Sequence, residues 1–351
     1  MKILMRGNES IAEGAIQAGC RYFFSYPITP QSEILYYMVK RLPEVGGVFL
    51  QADSETAAIN MVFGASACGV RVMTASSGPG ISLKQEGISY LAAAELPCLI
   101  VNVMRGGPGL GGVQPAQSDY FQATRGGGHG DYRTIVLAPS TVQECFNFAI
   151  LGFELADKYK IPTLILMDGA MGQMMEDIEP PENMNIKIPE KPWALGKGKF
   201  GNPNHITSMH LDPEELEMHN LHLLMSYEEI TFNEQRWESS FVEDAEVILV
   251  GYGTVGRILK GVTRIARERG LKVGYIRPIT LWPFPTLVFA ELNPKIKAIL
   301  TVEMSLGQMV EDVKLSVNGR CPVLFYGRVG IIPTATEILD QVSQVIQEVK
   351  V

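Results

Sequence analysis

Short apolar runs alternate with amphipathic stretches along the first 170 residues, and this alternation limits the possible folds more than any other feature. Runs at 22–26, 48–51, 72–75, 98–104, 134–138 and 163–167 read as strands. Between them, 32–40, 55–67, 83–94 and 142–159 carry apolar residues at helical spacing. Strands that are apolar almost throughout, separated by helices, indicate a parallel sheet covered on both faces. Asn8 or Ser10 is placed to cap an opening helix, and Gly19 to end it in the left-handed conformation. Sheets of this kind bind ligands at their carboxyl edge, where the loops here carry glycines and polar residues. The first domain is placed at 1–175.

From 176 to 244 the alternation stops. Pro180, Pro181, Pro189 and Pro192 lead into a segment between Asp212 and Glu246 with eleven acidic residues and one basic, Arg236. It reads as an extended crossover with a helix or two. Alternation returns over 245–351, with strands at 247–250, 272–276, 298–302 and 323–326, helices at 255–269 and 308–317, and a last helix from Thr334. At roughly 150 residues per domain, a 351-residue chain predicts about two domains.

Charge and composition exclude several classes. A net charge of -8 argues against a nucleic-acid surface. No apolar run approaches the ~18 residues of a membrane span, and Arg6 interrupts the start before a signal-peptide core can form. The five cysteines (Cys20, Cys68, Cys98, Cys145 and Cys321) are scattered, with no Cys-x-x-Cys for zinc or an iron–sulfur cluster. Buried, reduced thiols in a cytoplasmic protein are the expectation.

Two motifs are tempting and compete with plainer readings. Gly251, Gly253 and Gly256 follow a strand and open a helix, which fits the dinucleotide-binding pattern literally. The acidic residue that should follow about 20 positions on is missing, because the next strand runs into Arg277 and Pro278. His205, His210, His219 and His222 fall among carboxylates, and His219 and His222 could share a helical face to bind a metal. A charged surface helix or a subunit contact explains them better.

The strand-end loops of the first domain are more informative. YPITP (26–30) sets Pro27 and Pro30 on either side of Thr29 and aims its hydroxyl from a strand end. QADSETAA (51–58) puts Glu55 in a helix's first turn. TASSGPG (74–80) offers Ser76, Ser77 and Gly78 with a backbone a ligand can approach. ELPCLIVNVMRGGPGLGG (95–112) ends a strand at Arg105 and continues into a glycine loop, with Asp119 and His129 in the same connection. Taken singly, Glu55 could be an acid favoured by the helix dipole, and Arg105 a surface cation. Their convergence on one sheet edge argues otherwise.

In this order and spacing, these four motifs and QSDYFQATRGGGHGDYRTIVLAPS (117–140) resemble the α subunit of 2-oxoacid:ferredoxin oxidoreductases. The similarity continues through GYGTVGRILKG (251–261) and GYIRPITLWPFP (274–285), which look like a transketolase carboxy-terminal domain. The resemblance implies an α/β chain with a thiamine-diphosphate-binding pyrimidine-domain fold followed by a smaller transketolase C-terminal-like α/β domain. It implies CoA-dependent oxidative decarboxylation of a 2-oxoacid, closest to 3-methyl-2-oxobutanoate and next to 2-oxoglutarate, with electrons passed to ferredoxin.

Carried over, Glu55 would hydrogen-bond the aminopyrimidine ring and promote deprotonation of the thiazolium carbon. Thr29 and Arg105 would hold the substrate carboxylate, and Pro27, Ile28, Ser76, Ser77 and Gly78 would contact the cofactor. Asp119 and His129 would stand nearby. The Gly-Asp-Gly…Asn motif for magnesium and the diphosphate is absent, since Asp168-Gly169 lacks both its leading Gly and its following Asn. A β subunit should supply that half, and γ and ferredoxin-like δ subunits the iron–sulfur clusters. A nicotinamide dehydrogenase working through 251–256, and a non-catalytic structural or regulatory α-like subunit, remain alternatives.

Overall fold

The computed structural model describes residues 2–181, 186–198 and 202–348. The chain opens with β1 (Ile3–Arg6) and α1 (Gly7–Gln17), then β2 (Tyr22–Ser25) and α2 (Ser32–Glu44). Next come β3 (Val48–Gln51), α3 (Glu55–Ala67), β4 (Val72–Ser76) and α4 (Pro79–Ala93). They are followed by β5 (Leu99–Met104), the short α5 (Tyr120–Thr124), β6 (Ile135–Leu137) and α6 (Val142–Tyr159). Three elements, β7 (Thr163–Asp168), α7 (Gly169–Gln173) and β8 (Met175–Ile178), end this half.

The second half begins with α8 (Pro213–Asn233), β9 (Trp237–Ser240), β10 (Val247–Val250) and α9 (Gly253–Glu268). After β11 (Val273–Pro278) come β12 (Thr280–Trp282), α10 (Thr286–Ala290) and β13 (Ala298–Glu303). The last elements are α11 (Met309–Val317), β14 (Val323–Gly327) and α12 (Ala335–Glu348).

The expected parallel sheet is present, and it is larger than its sequence segment. Its order is β12-β6-β7-β5-β4-β2-β3, parallel except for β12, which pairs antiparallel with β6. A second sheet, β14-β13-β10-β11-β9, is parallel except at β9. One residue, Ile279, separates β11 in one sheet from β12 in the other, and its carbonyl accepts the Ala138 N–H at 2.9 Å. Three-residue β12 carries too short a pattern to be read as a strand in isolation. β1 and β8, also unforeseen, form a small antiparallel pair.

Two local expectations need correction. Asn8 and Ser10 do not cap α1, which begins one residue earlier; Arg6 is its N-cap, and Glu9 Oε2 accepts the Arg6 N–H at 3.1 Å. Asn8 Nδ2 instead donates to Pro30 O and Glu33 Oε2, and Ser10 Oγ to Val142 O. Both polar groups tie α1 to its neighbours. Gly19 does follow α1 with φ +81°. Helix α4 starts at Pro79, not at 83, because Pro at the first position supplies the helical φ and lacks only a donor the helix would leave free.

The crossover contributes a single α-helix among the described residues. Asp212 caps α8, accepting from the backbone of Glu214 and Glu215, and Pro213 begins it. Of its 21 residues only Leu223, Tyr227 and Ile230 are buried, so its acids are solvated.

The two sheets share one core. An apolar cluster runs from Ile59 and Leu91 through Tyr120 and Tyr252 to Met309. Buried polar ties reinforce it. Arg277 grips Glu144 bidentately, at 2.9 and 2.7 Å, and reaches Glu238 at 3.0 Å, with its side chain 2% exposed. Without Glu144 the buried guanidinium keeps only Glu238 and loses both bonds of its fork. We therefore expect Glu144→Ala to destabilise the chain by about 3 kcal/mol in urea denaturation. A loss below about 1 kcal/mol, the range of an exposed pair, would show that this tie is peripheral.

Candidate active site

The carboxyl ends of β2, β4 and β5 and the start of α3 enclose the site. Ser54 caps α3, accepting the Ala57 N–H at 3.1 Å, and so sets Glu55 in the first turn, where a carboxylate is favoured. Glu55 is buried, 6% exposed. At the end of β4, Gly78 (φ +42°) turns the chain into α4. This brings Gly80 under both groups: a Cβ there would stand 2.2 Å from Ser76 Oγ and 2.5 Å from Glu55 Oε1. Only glycine leaves that space open.

Several polar groups here have no hydrogen-bond partner among the described residues. The Ser76 and Ser77 hydroxyls are buried and unbonded, as is Arg105 Nε. Buried polar atoms are nearly always bonded, so orphans grouped at one sheet edge mark a place where something else binds. Arg105 donates from Nη1 to Thr29 O at 3.1 Å and from Nη2 to Leu110 O at 3.2 Å. Among the described residues it forms no ion pair. Its guanidinium lines a cleft of about 350 Å³ with Gly78, Ser82, Gly107 and Asp119.

Burial pushes the Asp119 carboxyl upward, against the hydrogen bond from Asn102 Nδ2 at 3.0 Å and the Arg105 charge. Pro27 and Thr29 are exposed at the rim and Ile28 is half-buried. His129 is not brought here. Its backbone carbonyl accepts from Ser89 and its ring meets Tyr90 edge-on, about ten residues or roughly 15 Å along α4 from Gly80. Sequence reasoning passed over Asn102 and Lys84. The signal for Lys84 was a lysine within the apolar face of α4.

The remaining motifs fall elsewhere. The turn at 251–256 is buried against the first sheet: Thr254 Oγ1 donates to Asp168 Oδ1 at 2.9 Å, and Gln117 Nε2 to Tyr252 O at 2.9 Å. A Cβ on Gly253 would lie 3.2 Å from Gln117 Nε2. A pyrophosphate has no room there, which removes the nicotinamide alternative. Asp168 caps α7 through Ala170 and Met171, and burial raises its carboxyl. On α8, His219 Nε2 contacts Ala93 O at 2.7 Å and His222 Nε2 contacts Glu95 Oε1 at 3.1 Å, so this face clasps the first domain. Among the described residues no three His, Cys, Asp or Glu side chains converge as a metal site. Burial pushes the Cys20 thiol up to about 12, and no cysteine is paired.

The two α/β sheets and the polar carboxyl edge have the architecture of thiamine-diphosphate-binding proteins. Residues 13–229 match the family "pyruvate flavodoxin/ferredoxin oxidoreductase, thiamine diP-binding", and 245–337 match "pyruvate:ferredoxin oxidoreductase core domain II". The chain belongs to that family. It is 48% identical over 345 residues to the ketoisovalerate oxidoreductase subunit VorB of Methanothermobacter marburgensis, covering 98% of each chain. It is 39% identical to the 2-oxoglutarate synthase subunit KorA of Methanocaldococcus jannaschii, over 94% of this chain and 96% of that one.

Among solved structures, the 2-oxoglutarate:ferredoxin oxidoreductase of Magnetococcus marinus superposes with a TM-score of 0.88 at 29% identity. It covers 99% of this chain, which spans 65% of that one. A split-gene transketolase superposes at 0.61 with 12% identity, over 98% of each chain, a likeness of fold alone.

The Gly80 space yields a direct test. In a helix, alanine is favoured over glycine by about 1 kcal/mol, so Gly80→Ala should leave the fold intact. Its methyl would displace Glu55 and Ser76, and we expect thiamine diphosphate affinity in the assembled enzyme to fall at least tenfold. Unchanged affinity by calorimetry would show that the Glu55–Gly80–Ser76 contact does not face the cofactor.

Proposed function

We propose that this chain is the α subunit of a CoA-dependent 2-oxoacid:ferredoxin oxidoreductase acting on 3-methyl-2-oxobutanoate, and that its carboxyl-edge crevice is half of the active site. The observation that carries the reading is the buried Glu55 carboxylate meeting an orphaned serine hydroxyl over a glycine. The residues present fit the pyrimidine side of thiamine diphosphate, and the missing Gly-Asp-Gly…Asn motif leaves magnesium and the diphosphate to a β subunit. When bound, the cofactor supplies the electron sink for decarboxylation.

Glu55 holds or releases a proton at the pyrimidine ring nitrogen, sheltered from water. Gly80 and Gly78 would let the ring approach the backbone, Ser76 and Ser77 would offer it their hydroxyls, and Pro27 and Ile28 would contact it from the strand-end turn. Arg105 takes the substrate carboxylate, because its planar fork can pair with one bidentately and it now contacts only neutral carbonyls. Thr29 adds a hydroxyl at the rim, and Asp119 borders the same cleft. Coenzyme A would accept the acyl group, and iron–sulfur clusters on γ and ferredoxin-like δ subunits would carry the electrons to ferredoxin. No described helix is long and apolar enough to cross a membrane. The complex is proposed to be cytoplasmic.

Greater identity to VorB than to KorA, 48% against 39%, favours the branched substrate. Purified complex should show kcat/KM for 3-methyl-2-oxobutanoate at least tenfold above that for 2-oxoglutarate, read as reduction of ferredoxin. The reverse order would transfer the assignment to 2-oxoglutarate. Within the site, Glu55→Gln fills the same space but cannot exchange a proton. We expect normal folding and assembly, with hydrogen–deuterium exchange at cofactor C2 slowed by roughly 10²-fold, the scale of a lost acid–base group. Wild-type exchange would make Glu55 a structural residue.

A further inference from the structure

Lys84 lies on α4 between Ile81 and Ile88, on the face turned to α3 and the sheet. Its side chain is fully buried. Nζ donates to Thr74 Oγ1 at 3.1 Å and to the backbone carbonyl of Glu55 at 3.4 Å. An ammonium has three donors, and among the described residues Lys84 forms no ion pair.

The groups facing it are few. From α3 comes Glu55, the charged group whose field reaches it. Strand β4 presents the neutral Thr74. On α4 itself, Glu86 is turned to solvent and accepts from Tyr90 at 2.7 Å. A buried amine without a contacting carboxylate weakens a fold, and an apolar side chain of equal length would serve packing better. Packing therefore does not account for this lysine, whereas its place behind the Glu55 turn does.

We propose that Lys84 is a positioning residue for Glu55: its buried ammonium, bonded to the Glu55 carbonyl and to Thr74, holds the first turn of α3 beside Gly80, so that proton exchange between Glu55 and the cofactor depends on the lysine's charge. This rests on the reading of Glu55 given above. Burial draws the lysine down from 10.5 to about 8, with the Glu55 charge opposing. The cation is thus present through neutrality and lost just above it.

Two measurements on the assembled complex test the proposal. The first is C2 hydrogen–deuterium exchange against pH in wild type, Lys84→Met and Glu55→Gln. Lys84→Met should slow exchange severalfold below pH 8, where the wild-type lysine is charged, and abolish a fall-off near pH 8. A profile superimposable on wild type, beside slowed exchange in Glu55→Gln, overturns the role of the lysine alone. Wild-type exchange in Glu55→Gln overturns the reading of Glu55 itself.

The second measurement is melting temperature against pH, which needs no turnover. A lysine titrating lower when folded leaves the unfolded chain with more bound protons between about 8 and 10.5, so its contribution to stability rises with pH across that window. Lys84→Met lacks this contribution. It should melt several degrees above wild type at neutral pH, with the gap closing as pH climbs through the window. A gap independent of pH overturns the buried cation. If the methionine variant does not assemble, Lys84→Gln removes the charge while keeping a donor to Thr74, and a wild-type profile there is equally decisive.

Discussion

One buried amide joins the two sheets, and the geometry of the site depends on it. Gln117 is fully buried. Its backbone N–H donates to Met304 O at 2.7 Å, and its side-chain oxygen accepts the Met304 N–H at 3.0 Å. The side-chain nitrogen donates to Tyr252 O, and the Tyr252 hydroxyl donates back to the Gln117 carbonyl at 3.2 Å. Loss of either side would leave several of these groups unbonded in the core, each at about 1–3 kcal/mol. Gln117 also ends the glycine-rich connection that starts at Arg105. The second sheet thus anchors the far end of a loop whose near end lines the crevice.

The charges in and around the core divide into two kinds. Arg71 meets Asp157 at 2.8 Å, and Lys191 meets the same carboxylate at 2.6 Å, all nearly inaccessible. Arg277 has Glu144 and Glu238. These charges are paired with one another and tie the crossover and second sheet to the first. Arg105 and Lys84 differ: each donates only to neutral oxygens. Cations that form no ion pair among the described residues gather where Glu55 and the orphaned serines also stand. The fold completes its structural pairs and leaves the site's electrostatics open.

How much was legible follows the range of each interaction. Helix α3 was read with its correct ends, because Ser54, Glu55 and the following apolar residues carry cap and periodicity within one segment. Asn8 and Ser10 misled, since a side chain that can cap locally can also bond a distant strand or helix, and only packing chooses. The Gly-Pro-Gly at 78–80 looked like loop, yet two of its residues belong to α4. That difference is what seats Gly80 under Glu55.

By itself the sequence determined the alternation, the sheet's parallel sense, the strand-end motifs and the absence of the second half of a cofactor motif. These rest on periods of two and 3.6 residues and on short spacings, all local properties. Tertiary structure alone decided that β12 completes the first sheet, that the 251–256 turn is plugged by Gln117, and that His129 stands away from the crevice. It also decided that Lys84 is buried behind Glu55, although 29 residues separate them. Burial and contact are set by what packs across from a residue, and nothing in its own segment records that.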